Sequence, residues 1–182
     1  RGGTLVATWG GGEPQACYVP AGGGSSPTFS SSKLFERLAK RNMDGTFEGV
    51  LAESWKPAAD FKSYAVKIRK GVKFHDGKDM TVDDVVYSVS EIWKKYAVAS
   101  ALTDFVGIES PDADTVVFKY SSPTPEFFFA STLCSPVAYI VPKHVYAGSD
   151  PVTNPANNAP IATGPWKFKE WVRGSHFEYV KN

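Results

Sequence analysis

His75-Asp76 sets an imidazole beside a carboxylate, which could begin an acid–base pair or a metal site. A metal needs three or four converging ligands, yet the only histidines are His75, His144 and His176, and no two stand at H-x-x-x-H spacing. The pair lies in the turn sequence His75-Asp76-Gly77-Lys78, where Asp76 is expected to cap local backbone N–H groups. No metal ligands and no cofactor are therefore expected. Cys17 as a nucleophile would need an activating base, and none lies close in sequence. G-x-S-x-G and C-x-x-C are both absent. Gly10-Gly11-Gly12 follows an apolar stretch as a phosphate loop would, but G-x-G-x-x-G fails at Gln15 and no G-x-x-x-x-G-K-S/T occurs. The chemistry on offer is binding rather than catalysis.

Gly22-Gly23-Gly24 is backbone without side chains, which lets another chain approach and pair its N–H and C=O groups. Composition alone leaves a flexible loop without function equally open. Trp9, at the end of an expected first strand (Thr4 to Trp9), is placed like residues that ring a cleft at strand ends, with plain core as the alternative.

The element expected at the centre is Tyr64–Trp93. Tyr64, Val66 and Ile68 alternate with Ala65, Lys67 and Arg69, the pattern of a half-buried strand. Lys70-Gly71 turns, and Val72-Lys73-Phe74 is briefly extended. Thr81 then caps a helix by accepting a backbone N–H, with Asp84 completing a capping box. Val82, Val85, Val86, Val89, Ile92 and Trp93 share the helix's apolar face. Elsewhere, Ser30–Ser32 offers caps for a helix through Arg41 with Leu34, Phe35 and Leu38 inside. A short helix is expected over Ala97–Asp104, a strand pair over Phe105–Glu109 and Thr115–Tyr120, and a phenylalanine-rich core helix over Glu126–Thr132. Another helical turn is expected near Pro142–Ala147, and Gly148–Thr163 reads as a surface connection. Trp166–Arg173 and His176–Lys181 read as strands joined by a two-residue Gly174-Ser175 turn.

The chain has 182 residues, enough for a sizeable core, and a formal net charge of +1. That balance gives no ground for nucleic acid or an anionic membrane as partner. No apolar run reaches the roughly 18 residues of a membrane span. Aromatic residues make up 14%, which suits an aromatic core, a cleft lined for planar or apolar solutes, or both. Cys17 and Cys134 leave a bridge and two free thiols both open.

Gly71-Val72-Lys73-Phe74-His75-Asp76-Gly77-Lys78, followed by Thr81 and Asp83-Asp84-Val85-Val86-Tyr87-Ser88, resembles the signature of the family 5 extracellular solute-binding proteins of ABC importers. Leu51-Ala52-Glu53-Ser54-Trp55, Asp114–Phe118 and Thr163–Trp171 resemble the same family in the same order. The resemblance implies an α/β, type II periplasmic-binding-protein-like architecture of mixed sheets with packed helices. Residues 1–43 would be the first segment of lobe I, 44–161 lobe II, and 162–182 the start of the return into lobe I. The rest of lobe I would be missing, making this an N-terminal fragment. It also implies a binding receptor that captures a peptide between two lobes and delivers it to a membrane permease, at the periplasmic or extracellular face. Such a receptor meets the membrane only through its transporter. Sugars, opines and metal chelates are the alternative solutes, a structural or adhesion module the alternative from another class, and an enzyme ranks last. By position, the resemblance brings Gly22, Gly23 and Gly24 to the cleft border and Trp166 to the crossing back into lobe I. It places Tyr96 as an aromatic reaching the ligand from lobe II. The chain departs from the peptide receptors in its extra glycine and in Cys17-Tyr18. The candidate ligand contacts are thus Trp9, Cys17, Tyr18, Gly22, Gly23, Gly24, Tyr96 and Trp166.

Overall fold

The computed structural model describes residues 3–8, 10–20, 29–98 and 102–182. In chain order the elements are β1 (Ala39–Arg41), β2 (Phe47–Gly49), β3 (Ala52–Pro57), β4 (Ser63–Ile68) and α1 (Val82–Tyr87). The coil of α1 widens to a π-helix over Ser88–Ala97. Then follow β5 (Phe105–Asp112), β6 (Thr115–Tyr120), α2 (Glu126–Leu133), α3 (Lys143–Tyr146), a 3₁₀ turn (Pro155–Asn157), β7 (Trp166–Val172) and β8 (His176–Lys181). The result is the mixed α/β architecture expected. No helix among the described residues is long and apolar enough to cross a membrane.

The alternating stretch is β4, an inner strand of an antiparallel sheet ordered β3-β4-β6-β5. Tyr64, Val66 and Ile68 are buried beside Val116 and Phe118 of β6. Against this face α1 and its continuation set Val82, Val85, Val89, Ile92 and Trp93, all buried. Trp93 also donates its indole N–H to the Tyr139 carbonyl at 2.8 Å. Truncating it would lose packing and a buried partner together, the kind of loss that runs to about 3–5 kcal/mol.

α1 starts with the expected capping box of Thr81 and Asp84. The Thr81 hydroxyl donates to Asp84 Oδ2 (3.1 Å), and that oxygen also accepts the Thr81 backbone N–H (2.8 Å). Asp84 Oδ1 accepts the Lys143 backbone N–H at 2.8 Å. Asp84 is 5% exposed, so its carboxylate both caps α1 and ties it to α3.

Several expectations give way to tertiary pairing. The helix through Arg41 does not form: only a turn near Phe29–Ser31 is helical, and residues 39–41 are a strand paired with Phe47–Gly49. The carbonyls a helix would use internally are taken by other segments. Gly164 N–H bonds Leu34 O, Ile140 N–H bonds Glu36 O, Leu51 N–H bonds Arg37 O, and both Val50 and Ala52 bond Leu38 O. Leu34, Phe35 and Leu38 are buried all the same. Thr4–Thr8 forms no strand, and Leu5 and Val6 are 89% and 81% exposed; an alternating sequence needs a partner to pair with, and the described residues give it none. In α2 only part of the phenylalanine run is core: Phe129 is buried, Phe127 and Phe128 are exposed. The expected helix over Ala97–Asp104 lies partly outside the described residues.

The β7–β8 connection has three residues rather than two, because Val172 pairs with His176. Gly174 there has φ 72°, a conformation glycine tolerates best. The segment read as a surface connection is pinned from inside by two buried asparagines. Asn157 Nδ2 donates to the Pro151 and Val152 carbonyls (2.8 and 3.0 Å), and its Oδ1 accepts the Tyr146 hydroxyl (3.1 Å). Asn154 caps the 3₁₀ turn by accepting the Ala156 N–H at 2.8 Å.

Candidate functional site

Residues 161–165 are held by hydrogen bonds from two distant parts of the chain. Gly164 donates its N–H to Leu34 O at 2.7 Å, and a Cβ on Gly164 would lie 2.3 Å from that oxygen. The backbone can approach this closely only because the residue is glycine. On the other side, His75 donates its backbone N–H to Ala162 O (2.8 Å), accepts the Ala162 N–H at Nδ1 (3.3 Å), and has Nε2 3.0 Å from Gly164 O. Residues 162–164 are therefore held between the N-terminal segment and the turn that follows β4. Glu36 lies near them beside Thr163; burial raises its carboxyl above the usual range, with Thr163 and Arg69 pulling the other way.

Cys17 and Tyr18 are both buried in the core. The Ser30 and Ser31 hydroxyls both donate to the Cys17 carbonyl (2.7 and 2.9 Å), and the Tyr18 N–H donates to Asn157 O (2.9 Å). Cys17 is fully buried, and burial pushes its thiol up to about 12 against smaller opposing pulls from Ser30 and Tyr179. A thiol of that kind is neither nucleophile nor metal ligand at neutral pH. Tyr18 packs among Phe35, Tyr139 and Tyr146 at centroid distances of 4.6, 6.3 and 6.1 Å. Both cysteines are free.

Trp166 opens β7 and is 43% exposed. It shares a hairpin face with Phe168, whose cross-strand partner Tyr179 stands beside Cys17. Trp166 and the Cys17 segment thus belong to one continuous wall, with Trp166 on its open part. Tyr96 is half-buried near the end of the π-helical coil, beside Tyr87 and Lys95 of the same helix. Trp9, Gly22, Gly23 and Gly24 lie outside the described residues.

The three histidines do not converge. His75 bonds Ala162 and Gly164, His144 Nε2 bonds Asp76 Oδ2 at 2.7 Å, and His176 Nδ1 lies 3.0 Å from the Ser175 hydroxyl. Glu170, His176 and Glu178 do bring ligand atoms within 4.8 Å of one another on the exposed β7–β8 hairpin. Lys169 already engages Glu178 there at 2.7 Å, as an ordinary surface ion pair. Sequence reasoning missed His75 as a tie to Ala162 and Gly164 and the Asn157 carbonyl as the anchor of Tyr18, because these bonds span some 80 to 140 residues. The one local signal was a histidine in a turn whose neighbours alone could not occupy both ring nitrogens.

The described residues form a packed α/β unit in which residues 161–165 are held from two sides. Residues 46–182 match the family model of bacterial extracellular solute-binding proteins, family 5 Middle, and the chain belongs to that family. Its members are binding proteins of the periplasm or cell exterior that serve ABC transporters. The chain is 35% identical over 157 residues to the oligopeptide-binding protein AppA of Bacillus subtilis, covering 82% of this chain and 28% of that one. The solved structure of B. subtilis AppA in complex with a nonapeptide matches 94% of this chain and 35% of its own, at TM-score 0.83 and 32% identity. AgaA from A. tumefaciens R10 in complex with agropinic acid matches at TM-score 0.79 and 30% identity, covering 93% and 34%. NikZ from Campylobacter jejuni in complex with Ni(L-His) matches at 0.78 and 25%, covering 94% and 34%. The chain spans about a third of the length of these relatives.

Proposed function

We propose that the chain is part of the solute receptor of an ABC importer, one that captures peptides between two lobes and delivers them to the membrane permease. Residues 1–43 and 162–182 contribute to lobe I and residues 44–161 form lobe II. The 43/44 boundary then falls in the Asn42–Thr46 turn between β1 and β2. One observation carries the reading: residues 161–165 are held on one side by Leu34 and on the other by His75, as a receptor needs where its chain passes between lobes. Closure around a solute that touches both lobes distinguishes loaded from empty receptor, because only such a solute shifts the equilibrium. Trp166 and Tyr96 are the described side chains offered to the solute, with Trp9 and Gly22–Gly24 completing the proposed contacts. Cys17 and Tyr18 stiffen the wall from behind.

Peptide is favoured by the likeness to AppA. A second reading, an opine or a nickel chelate, is supported by the similar fit to AgaA and NikZ. Mass spectrometry of solute retained by the full receptor, purified from its natural host, decides between them. A mixture of peptides supports the first reading; a single opine or nickel complex replaces it with the second.

A further inference from the structure

We infer that His75 is a proton-sensitive latch on the crossing segment: when neutral it ties residues 162–164 to the turn after β4, and when protonated it lets Ala162 go. The geometry dictates the ring's state. Nδ1 faces an N–H donor, that of Ala162 at 3.3 Å, while Nε2 faces an acceptor, the Gly164 carbonyl at 3.0 Å. Only the neutral ring with its proton on Nε2 satisfies both. With the His75 N–H to Ala162 O bond at 2.8 Å, the ring nitrogen completes a two-way bridge in which Nδ1 stands where a strand partner would offer a carbonyl. Protonation turns Nδ1 into a donor aimed at another donor and leaves the Ala162 N–H without its acceptor. The Nε2 contact to Gly164 survives, so the change falls on one bond of the three.

The surroundings favour the neutral form. Burial lowers the affinity of the imidazole for a proton, and Lys167 of β7 pushes the same way. Opposing them are the Gly164 carbonyl and Asp76 of the same turn. The Asp76 carboxylate is itself occupied by His144 of α3 (2.7 Å) and by the Lys78 N–H (3.2 Å), and the Gly164 carbonyl also accepts Asn182 Nδ2 (3.0 Å). A depressed folded pKa means that the unfolded chain binds the proton first as pH falls. The latch therefore contributes fully above the ordinary histidine value of about 6.5, and its contribution is lost as pH falls through the lower folded value. Its bearing on solute capture rests on the reading of 161–165 as the passage between lobes; the bond chemistry does not.

Amide hydrogen exchange on the full chain at pH 7 and pH 5, corrected for intrinsic rates and resolved to Ala162, tests the latch. Protection of Ala162 should be lost at the lower pH as the ring protonates and its N–H loses its acceptor. A His75→Gln variant keeps one acceptor and one donor but does not titrate, so its Ala162 protection should be flat with pH. A His75→Ala variant should be unprotected at both values. Equal loss in native protein and His75→Gln, or no loss in the native protein while the ring titrates by NMR, overturns the inference. Retention of a random nonapeptide mixture is measured in parallel. Failure to retain peptide at either pH removes the peptide reading, and the exchange data still decide the latch.

Discussion

Removing the Asp84 carboxylate should cost far more than removing the residue that begins the helix. Asp84→Ala deletes the acceptor of three hydrogen bonds, from the Thr81 N–H, the Thr81 hydroxyl and the Lys143 N–H, at 2.8, 3.1 and 2.8 Å. Bonds to a charged group contribute about 1.5–3 kcal/mol each. Thr81 and Lys143 are exposed residues, so water can reach part of what is freed, and the lower end applies. A total of about 4.5 kcal/mol follows, roughly 9–18 °C in Tm for a chain of this size. Thr81→Ala removes only the hydroxyl donor and should cost about 0.5–1 kcal/mol. Because the two share a bond, the double variant should cost little more than Asp84→Ala alone. Urea denaturation followed by circular dichroism measures all three. Equal costs for the two single variants, or fully additive costs in the double, would refute the view that one carboxylate joins α1 to α3.

Gly164→Ala should destabilise by about 2 kcal/mol or more, read by thermal denaturation, because the new Cβ would meet the Leu34 carbonyl at 2.3 Å and backbone must move. Cys17 should resist iodoacetamide at pH 8 in native protein and react readily in denaturant; rapid native labelling would contradict its burial and raised pKa. Lys67 and Lys70 grip Asp114 and hold its carboxyl well below the usual range, so replacing either with Ala should raise the carboxyl titration seen by NMR. In the full receptor, Trp166→Ala should weaken peptide binding about tenfold by calorimetry if this exposed ring meets the solute.

Much of the fold was legible where neighbours in sequence are also neighbours in space. Tyr64, Val66 and Ile68 announce β4, and the Val82–Trp93 stripe announces the helix that covers the sheet, because both rest on local periodicity. The Leu34–Leu38 stripe carries the same helical signal and misleads, since Val50, Leu51 and Ala52 from the next hairpin and Ile140 and Gly164 from far along the chain claim its carbonyls. Burial was legible there and backbone conformation was not. Site residues suffered the same way. An aromatic beside a cysteine suggests either a cleft or a core, and only the grip of Ser30 and Ser31 on the Cys17 carbonyl turns that pair inward. His75 gave no sign of its partner, because a backbone N–H has no signature in sequence.

The anchoring of Tyr18 on Asn157 bears on the order in which the protein can assemble. Antiparallel neighbours such as β5 and β6 close short loops and can form as soon as they leave the ribosome. The Cys17-Tyr18 segment must wait for Asn157, a delay on the order of ten seconds at ordinary synthesis rates. During that interval the rings of Tyr18, Phe35 and Tyr139 have no common core to enter. The aromatic cluster around Tyr18 is thus a part of the nascent chain that needs shielding until late in synthesis.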